Sequence, residues 1–462
     1  MKSSSVPYVR EVDEDEEVHM QDMSKGCGAS LACDPLRGLH RYLMLFFICF
    51  LSFGSYFCYD SPAALQDVIT RDMGLTATEF LNLYAFYSWP NVVLSFVGGL
   101  LIDRVFGISL GAIIFSLFVL IGHLITGAGA LANSIGLMYF ARFVFGIGGE
   151  SLSVAQNTYT TEWFPSTELN FVFGLQLSIA RVGSTVGMNT LQPLYRSIGE
   201  NFGITGYVRL GATLIVSAVT CIFSTGCALI LAFFTKRARR IRAAQIAYLA
   251  AKESSSRNVS SESEQAPRIS LRDIIHFPFG IWLICLICVT YYITVFPFIS
   301  LGLVFFKRRY YLSVQDASAV NSLVYIVSAV ASPLFGAAID LVGCNLHWLL
   351  SSVLLTLMCH LCFAFASYTL PPIIIMIIMG FAYSILASSL WPLVTYLLPV
   401  HKRGTAYGLI QSVQNLGLAV VSLFAGYLVD HKHTALFLVP SVHHKHHDQA
   451  EAEAYDEKEF KN

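Results

Sequence analysis

Two ionisable side chains, Glu150 and Arg181, lie well inside long apolar stretches of the sequence. A charge midway along a membrane helix costs at least about 2.5 to 3.5 kcal/mol on insertion scales, so each charge needs a partner or a function. A carboxylate binds an ammonium group, and a guanidinium binds a carboxylate through two parallel hydrogen bonds. The pair therefore suits a zwitterionic substrate, with Glu150 at the α-ammonium and Arg181 at the carboxylate. The alternative is a permanent salt bridge between the two, which would join two helices.

Neutral polar and aromatic side chains offer further contacts to such a substrate. Gln411 and Asn415 are four residues apart, and this spacing places them on one face of a helix. Their amides suit the peptide bond or far end of a substrate, or equally a hydrogen bond to a neighbouring helix. Tyr87, Trp89 and Trp391 are candidates for the walls of a cavity, although aromatic residues near the ends of membrane spans are commonly packing or interface residues.

Membrane-spanning helices are the elements that would hold these side chains at one depth. An uncharged apolar run of about 20 residues is long enough to span a bilayer, because each helical residue rises about 1.5 Å. Glu150 lies about fifteen residues into the fourth such run, and Arg181 about thirteen into the fifth, which is entered from the opposite side. We therefore expect both near the midplane. The sequence contains eleven runs, at approximately residues 39–59, 80–101, 109–131, 135–160, 168–194, 206–235, 280–305, 317–340, 346–368, 371–397 and 405–429.

The composition agrees with an all-α integral membrane protein. The chain is 55% hydrophobic and 13% charged, against roughly 25% charged in a soluble domain. Its net charge of −1 offers no basic field for nucleic acid. No nucleophile, base and orienting group recur at a usable spacing. These observations exclude an ordinary cytosolic enzyme and a nucleic-acid partner, and we expect the lipid bilayer as a partner, no cofactor and no metal.

One long polar segment divides the runs into two groups. It begins with a cluster of Lys and Arg and becomes Ser-rich. Cytoplasmic loops hold an excess of Lys and Arg, so this segment and the N-terminus are both expected in the cytosol. The predicted domains are an acidic tail (1–38), a six-helix bundle (39–235), a basic and Ser-rich linker (236–278), a second bundle with five spans (279–430) and a His-rich, acidic tail (431–462).

A repeated motif relates the two groups of runs. Gly99, Asp103 and Arg104 lie at the end of the second run, and Gly336 and Asp340 lie at the end of the eighth run at an offset of 237, although the second copy lacks the basic residue. A second motif, a Pro followed nine residues later by Gly-Leu, recurs at an offset of 234. Repeated halves are a common feature of transporters. The sequence therefore predicts two pseudo-symmetric helix bundles.

The first motif resembles the loop between spans two and three of the major facilitator superfamily. The resemblance implies that the chain transports a small solute by alternating access. It also implies that Gly99, Asp103, Arg104, Gly336 and Asp340 lock one face of the transporter by pairing with helix ends, where an Asp is favourable only at the positive end of the dipole. The alternative is a simple turn at a membrane exit. The loop departs from the family pattern, since two residues rather than one separate Arg104 from the next Gly.

Several longer stretches resemble a lysosomal branch of that superfamily. Members of this branch are implicated in exporting dipeptides to the cytosol, and they work with a glycosylated accessory protein that shields the lumenal face. The only glycosylation sequon of this chain, Asn258-Val-Ser260, falls in the predicted cytosolic linker, which agrees with the use of such a partner. The resemblance implies a multi-pass protein of the lysosomal membrane. The matching stretches are Ser52 to Asp60, Tyr87 to Asn91, Arg142 to Glu150, Trp391-Pro392 and Tyr407 to Gly417.

The first run bears on the mechanism, because it contains no acidic or basic residue between Tyr42 and Tyr59. Proton-coupled peptide transporters of the superfamily carry charges there, so facilitated uniport is favoured here. Two alternatives stay open: a proton-coupled transporter of another small organic ion, and a non-transporting scaffold that stabilises a glycosylated partner. At the C-terminal side, residues 434–442 are too few to cross a bilayer. We therefore expect the twelfth span of the superfamily to be missing or truncated.

Overall fold

The computed structural model describes residues 38–254, 274–365 and 371–430, and within these ranges the regular structure is entirely helical. Each of the eleven apolar runs predicted from the sequence contains helix. The acidic tail, much of the linker and the His-rich tail, including the place where a twelfth span would lie, fall outside the described residues.

Eight segments of the described chain are long and apolar enough to cross a membrane, judged by length and composition. One of them, Asn82–Leu131, holds two successive helices. The helix Ile135–Trp163 is not among the eight. It carries Gln156 and Thr160 at buried positions, where such residues lower the mean hydropathy of a helix without exposing polar groups to lipid. Bundle-facing polar residues of this kind are typical of membrane proteins that hold a solute.

The N-terminal half contains the first six predicted spans. A π-helical turn, Ile102–Phe106, joins its second and third spans. Its last helix continues past residue 235 through the basic cluster and is described as far as Ser254. The helices are α1 Gly38–Phe50, α2 Phe53–Tyr59, α3 Ser61–Ala64, α4 Gln66–Met73, α5 Ala77–Leu101, α6 Gly107–Leu131, α7 Ile135–Trp163, α8 Leu169–Phe202, α9 Gly206–Ser217 and α10 Val219–Ser254.

The C-terminal half contains the remaining five predicted spans. A short 3₁₀ turn, Val400–Lys402, precedes its last helix. The helices are α11 Phe279–Tyr310, α12 Val314–Val342, α13 Asn345–Phe365, α14 Pro372–Leu390, α15 Leu393–Leu397 and α16 Arg403–Asp430.

The predicted first span is divided into α1 and α2, and side chains from other helices satisfy the backbone at the break. The carbonyl of Ile48 accepts a hydrogen bond from Gln156 Nε2 at 2.7 Å. The carbonyl of Phe50 accepts from Ser224 Oγ at 2.9 Å, and the same hydroxyl accepts from the Gly54 N–H at 2.9 Å. An unpaired backbone group in hydrocarbon costs several kcal/mol. These contacts from α7 and α10 therefore stabilise the break.

The two halves pack against each other along two helix pairs, α5 with α16 and α8 with α12. Glycines permit the close approach of their backbones. A Cβ atom at Gly99 would lie 2.3 Å from the carbonyl oxygen of Gly404, and one at Gly336 would lie 2.3 Å from that of Asn170. Any larger side chain at these positions would force the helices apart, as expected for small residues in membrane helix contacts.

Candidate substrate site and clamps between the halves

Asp103 lies in the π-helical turn after α5, and its carboxylate contacts the first residues of α16. Its Oδ1 accepts a hydrogen bond from the Gly404 N–H at 3.2 Å. Its Oδ2 accepts from the Thr405 N–H at 2.5 Å and from the Thr405 hydroxyl at 2.7 Å. The first N–H groups of a helix lack partners within the helix and form the positive end of its dipole. These three residues form what we term the Asp103 clamp, which joins the two halves.

Asp340 makes the corresponding contact near the end of α12. Its Oδ2 accepts from the Phe171 N–H at 2.7 Å. Its Oδ1 accepts from the Asn170 N–H at 3.2 Å and from Asn170 Nδ2 at 2.7 Å. Both donors belong to the first turn of α8. These three residues form the Asp340 clamp, in which the C-terminal half supplies the carboxylate.

The two clamps are related by the sequence repeat. Asn170 and Phe171 precede Gly404 and Thr405 by 234 positions, which is the offset of the second repeated motif. Each half thus supplies one carboxylate and receives the other at a helix N-terminus. Within the described residues, the predicted pairing of both Asp side chains with helix ends is present in the geometry, and its role as a gate stays a proposal.

Arg104 is the member of the predicted gating motif that the structure leaves outside the clamps. Its side chain is exposed. At the corresponding position of the second copy, Leu341 is 89% exposed. The position therefore faces away from the contact between the halves in both copies.

Glu150 lies in α7 where the two halves meet. One carboxylate oxygen accepts a hydrogen bond from the Tyr87 hydroxyl of α5 at 3.0 Å. The other accepts from Gln411 Nε2 of α16. Asn415, one turn further along α16, lies close to the same carboxylate. Its buried Nδ2 donates no hydrogen bond to any described residue. Glu150 is therefore bound both within its own half and across to the other.

Arg181 lies in α8 and contacts aromatic residues of the C-terminal half. Its Nη2 donates a hydrogen bond to the Tyr383 hydroxyl of α14. Its guanidinium carbon lies 4.5 Å from the ring centroid of Tyr325 in α12 and 5.1 Å from that of Tyr383. Aromatic faces attract cations. The Arg181 Nε is buried and makes no hydrogen bond to any described residue, which leaves a donor for a ligand.

Glu150 and Arg181 are not joined by an ion pair in the described part of the chain. The permanent salt bridge that the sequence left open is therefore absent from this conformation. The Tyr56 hydroxyl of α2 lies within electrostatic reach of both charges. Two opposite charges at one interface, each with a neutral hydrogen-bond partner, can bind the two ends of a zwitterion.

Tyr87 is held in place by a second buried cation, Arg142 of α7, which is 1% exposed. The Arg142 guanidinium carbon lies 5.6 Å from the Tyr87 ring centroid and 5.4 Å from that of Tyr84. Its Nη2 donates to the carbonyl of Tyr59 at 3.2 Å, and its Nε donates to that of Leu83 at 3.4 Å. Arg142 therefore links α2, α5 and α7 and fixes the tyrosine that contacts Glu150.

The remaining predicted site residues are two tryptophans, Trp391 and Trp89. The Trp391 ring lies 6.1 Å from that of the buried Tyr407, whose hydroxyl donates to the Trp391 carbonyl at 3.1 Å. Trp89 is 48% exposed. In the part of the chain that the structure describes, neither indole forms a hydrogen bond with Glu150 or a hydrogen bond or cation–π contact with Arg181, so their role as cavity walls stays a prediction.

Three tyrosines of the site, Tyr56, Tyr325 and Tyr383, were not predicted from the sequence. Each tyrosine lies in an otherwise apolar span. In the sequence, a tyrosine in such a span looks the same whether it binds a ligand or only packs against its neighbours. The repeat held one clue, because Tyr383 directly precedes Ser384, which lies 234 positions after Glu150. Ser384 itself is buried and donates to the Gly380 carbonyl of its own helix.

The hydrogen bonds between the halves define which end of the bundle is closed. They begin at the two clamps and continue through the Phe96 N–H, which donates to Ser412 Oγ at 2.9 Å, and the Ser178 hydroxyl, which donates to the Ala329 carbonyl. They reach the depth of Glu150 and Arg181, whose side chains bond to Gln411 and Tyr383 of the other half. The bundle is closed at the clamped end, which the predicted topology places in the cytosol.

Two repeated bundles that meet at Glu150 and Arg181 and are clamped together at one end are the architecture of a membrane transporter. The chain belongs to the Major Facilitator Superfamily, whose sequence profile matches residues 45–422. The resemblance noted from its motifs is thereby confirmed. The chain is a multi-pass membrane transporter and not an enzyme.

Within that superfamily the chain is similar to lysosomal dipeptide transporters called MFSD1. It is 52% identical to the protein of Danio rerio over 398 residues, which cover 86% of this chain and 82% of that protein. It is 51% identical to the protein of Homo sapiens over 398 residues, with the same coverage.

Solved structures confirm the fold. The transporter FucP, solved in the outward conformation, superposes with a TM-score of 0.60 at 13% sequence identity, covering 85% of this chain and 93% of that one. At this identity the likeness concerns the fold alone.

Proposed function

We propose that this chain exports dipeptides from the lysosome to the cytosol by alternating-access, facilitated uniport. The names of its relatives support the substrate class and the compartment. The observation that carries the proposal is the arrangement of Glu150 and Arg181. Both charges come from the N-terminal half, and each bonds to a neutral group of the C-terminal half instead of to the other charge.

A dipeptide fits this arrangement because its two charged ends need opposite partners. The α-ammonium binds the Glu150 carboxylate, and the α-carboxylate binds the Arg181 guanidinium, whose Nε has no hydrogen-bond partner among the described residues. The Asn415 amide lies close to Glu150 and suits the peptide group. The clamps of Asp103 and Asp340 then serve as the gate, which opens toward the cytosol once substrate is bound.

Uniport is supported by the first span, α1 and α2, which carries no acidic or basic residue between Tyr42 and Tyr59. A proton-coupled mechanism needs a titratable group whose protonation is linked to substrate binding. In a uniporter, exchange of labelled dipeptide across proteoliposomes proceeds equally with and without a pH gradient. Exchange that requires a proton gradient would support the proton-coupled alternative.

The test is counterflow of labelled dipeptides in proteoliposomes that hold the purified chain. Glu150→Gln removes the negative charge, and Arg181→Lys keeps a positive charge but loses the planar guanidinium fork. Each is expected to lower exchange by about 10- to 100-fold, because hydrogen bonds to charged groups contribute about 1.5 to 3 kcal/mol.

Gln411→Leu and Gln414→Leu form a matched pair for the same assay. Gln411 contacts Glu150, whereas Gln414 Oε1 accepts from Cys288 Sγ of α11 at 3.3 Å. Only Gln411→Leu is expected to change exchange strongly. The scaffold alternative predicts a different outcome: a well-folded protein that still stabilises its glycosylated partner but exchanges no dipeptide. That outcome would contradict the transport proposal.

We also infer that a glycosylated accessory protein covers the lumenal face. The support is the resemblance to the lysosomal branch and the place of the only sequon, Asn258-Val-Ser260, in the predicted cytosolic linker. Affinity purification from lysosomal membranes should recover a glycoprotein with the chain, and its removal should shorten the lifetime of the chain. Unchanged lifetime without any bound glycoprotein would contradict this.

A further inference from the structure

A groove lies on the outer face of the N-terminal half, between α6 and α10, at the same end as the Asp103 clamp. It has a volume of about 560 Å³. Its wall is apolar and includes Leu110 and Ile113 of α6 and Ala232 of α10. Its rim carries three cations of α10, Lys236, Arg239 and Arg240.

One of the three cations is already neutralised within the protein. Arg239 Nη2 contacts both carboxylate oxygens of Glu162 at 2.9 Å, and its Nε contacts one of them at 3.0 Å. Lys236 and Arg240 are exposed, and no ion pair joins either to an acidic residue in the described ranges. The rim therefore presents a net charge of about two positive units, from Lys236 and Arg240.

The wall of the groove faces the lipid. Leu110 is 49% exposed on α6, and Phe233, next to the groove on α10, is 63% exposed. In a membrane transporter, exposed apolar side chains on the outer face of a span contact acyl chains. The groove thus leads from an apolar wall at the depth of the acyl chains to a cationic rim at the level of the headgroups.

We propose that this groove binds a phospholipid with a polyanionic headgroup, of the phosphoinositide monophosphate class. Its phosphates contact Lys236 and Arg240, and one acyl chain follows Leu110, Ile113 and Ala232. Basic pockets between membrane helices suit such headgroups. Two unneutralised cations match a headgroup with more than one negative charge better than that of phosphatidylserine. The proposal needs only a membrane-embedded chain, so it does not depend on the dipeptide proposal.

The test is native mass spectrometry of the full chain in detergent, titrated separately with phosphatidylinositol 4-phosphate, phosphatidylserine and phosphatidylcholine. The phosphoinositide is expected to bind most tightly. Lys236→Gln/Arg240→Gln should weaken its binding by about 30-fold, since each cation near an anionic surface contributes about fivefold. The control, Lys307→Gln/Lys402→Gln, makes the same change in net charge outside the groove and should retain binding.

Two further measurements test the form of the ligand. Leu110→Gln changes an exposed position of the wall, so it should keep the fold while weakening lipid binding severalfold. Soluble inositol phosphate should compete poorly, because it lacks the acyl chain. Two outcomes would overturn the proposal. One is an equal loss of phosphoinositide binding in the groove variant and the control variant. The other is equal binding of phosphatidylcholine and the phosphoinositide by the unaltered chain. Failure of dipeptide exchange alone would leave it standing.

Discussion

Glu150 and Arg181 are ionisable residues of membrane-spanning helices, and their hydrogen-bond partners are an amide and hydroxyl groups. A buried ion pair would have to be broken before a zwitterion could bind, and leaving one charge without its partner costs about 3 to 5 kcal/mol. Displacing a neutral hydrogen-bond partner costs less free energy than breaking a buried ion pair. The absence of an ion pair between these two described residues therefore favours substrate entry.

Tyr87→Phe tests the hydrogen bond between Tyr87 and Glu150. The substitution removes the hydroxyl that donates to the carboxylate at 3.0 Å and keeps the ring beside Arg142. We expect the KM for dipeptide exchange to rise about two- to tenfold, since one hydrogen bond contributes about 0.5 to 1.5 kcal/mol. Thermal stability should change little.

The control for this variant is Tyr139→Phe. The Tyr139 hydroxyl donates to the Glu79 carbonyl at 2.9 Å, near the start of α5 and away from Glu150. An equal rise in KM in both variants would show that Tyr87 acts through general packing and not through Glu150.

At the scale of helices, α5 and α16 approach closely because Gly99 has no side chain. A Cβ there would lie 2.3 Å from the Gly404 carbonyl oxygen and 3.2 Å from the Gly408 Cα. Both contacts are to backbone, which cannot rotate away as a flexible side chain can. The closed end of the bundle therefore depends on the glycine.

Gly99→Ala is expected to favour opening of the clamped end. The readout is the rate at which a membrane-impermeant thiol reagent modifies Ala406→Cys, because Ala406 is 0% exposed in the closed bundle. We expect the rate to rise severalfold. Gly226→Ala is the matched control, since a Cβ at Gly226 in α10 meets nothing within 4 Å. A rise in both variants, or in neither, would contradict the role of Gly99.

The sequence predicts the helices well, because apolar length is a local signal, and the repeated motif directs attention to both aspartates that the structure places at helix ends. It does not predict the break between α1 and α2. That break depends on Gln156 and Ser224, which lie far along the chain from the carbonyls of Ile48 and Phe50. For the same reason the sequence does not predict the role of Tyr383, whose contact with Arg181 joins residues 202 positions apart. Tertiary partners of this kind have no local sequence signature.

At the scale of the whole transporter, two clamps hold the same end closed and share no hydrogen-bond partner. Asp103→Asn and Asp340→Asn each remove a charge from a helix N-terminus. We expect each to raise the rate of Ala406→Cys modification by roughly 5- to 30-fold, equivalent to about 1 to 2 kcal/mol. Independent contributions add in free energy, so the double variant should show the product of the two effects.

A double variant that behaves like either single variant would contradict this independence. It would mean that the release of one clamp already releases the other. A thermal melt of all three proteins is the control, since loss of the fold would also expose Ala406, which is buried.

The placement of the clamps has a geometric consequence. Asp103 belongs to the N-terminal half and Asp340 to the C-terminal half, so the closed end is fastened at two separate points. A rigid body fastened at two points can turn only about the line that joins them. The clamps thus oppose sliding and twisting of one half against the other and favour a hinge motion about the line between them. While both clamps hold, movement of the far end about this line requires the bonds from Phe96 and Ser178 to adjust but leaves the two aspartates in place.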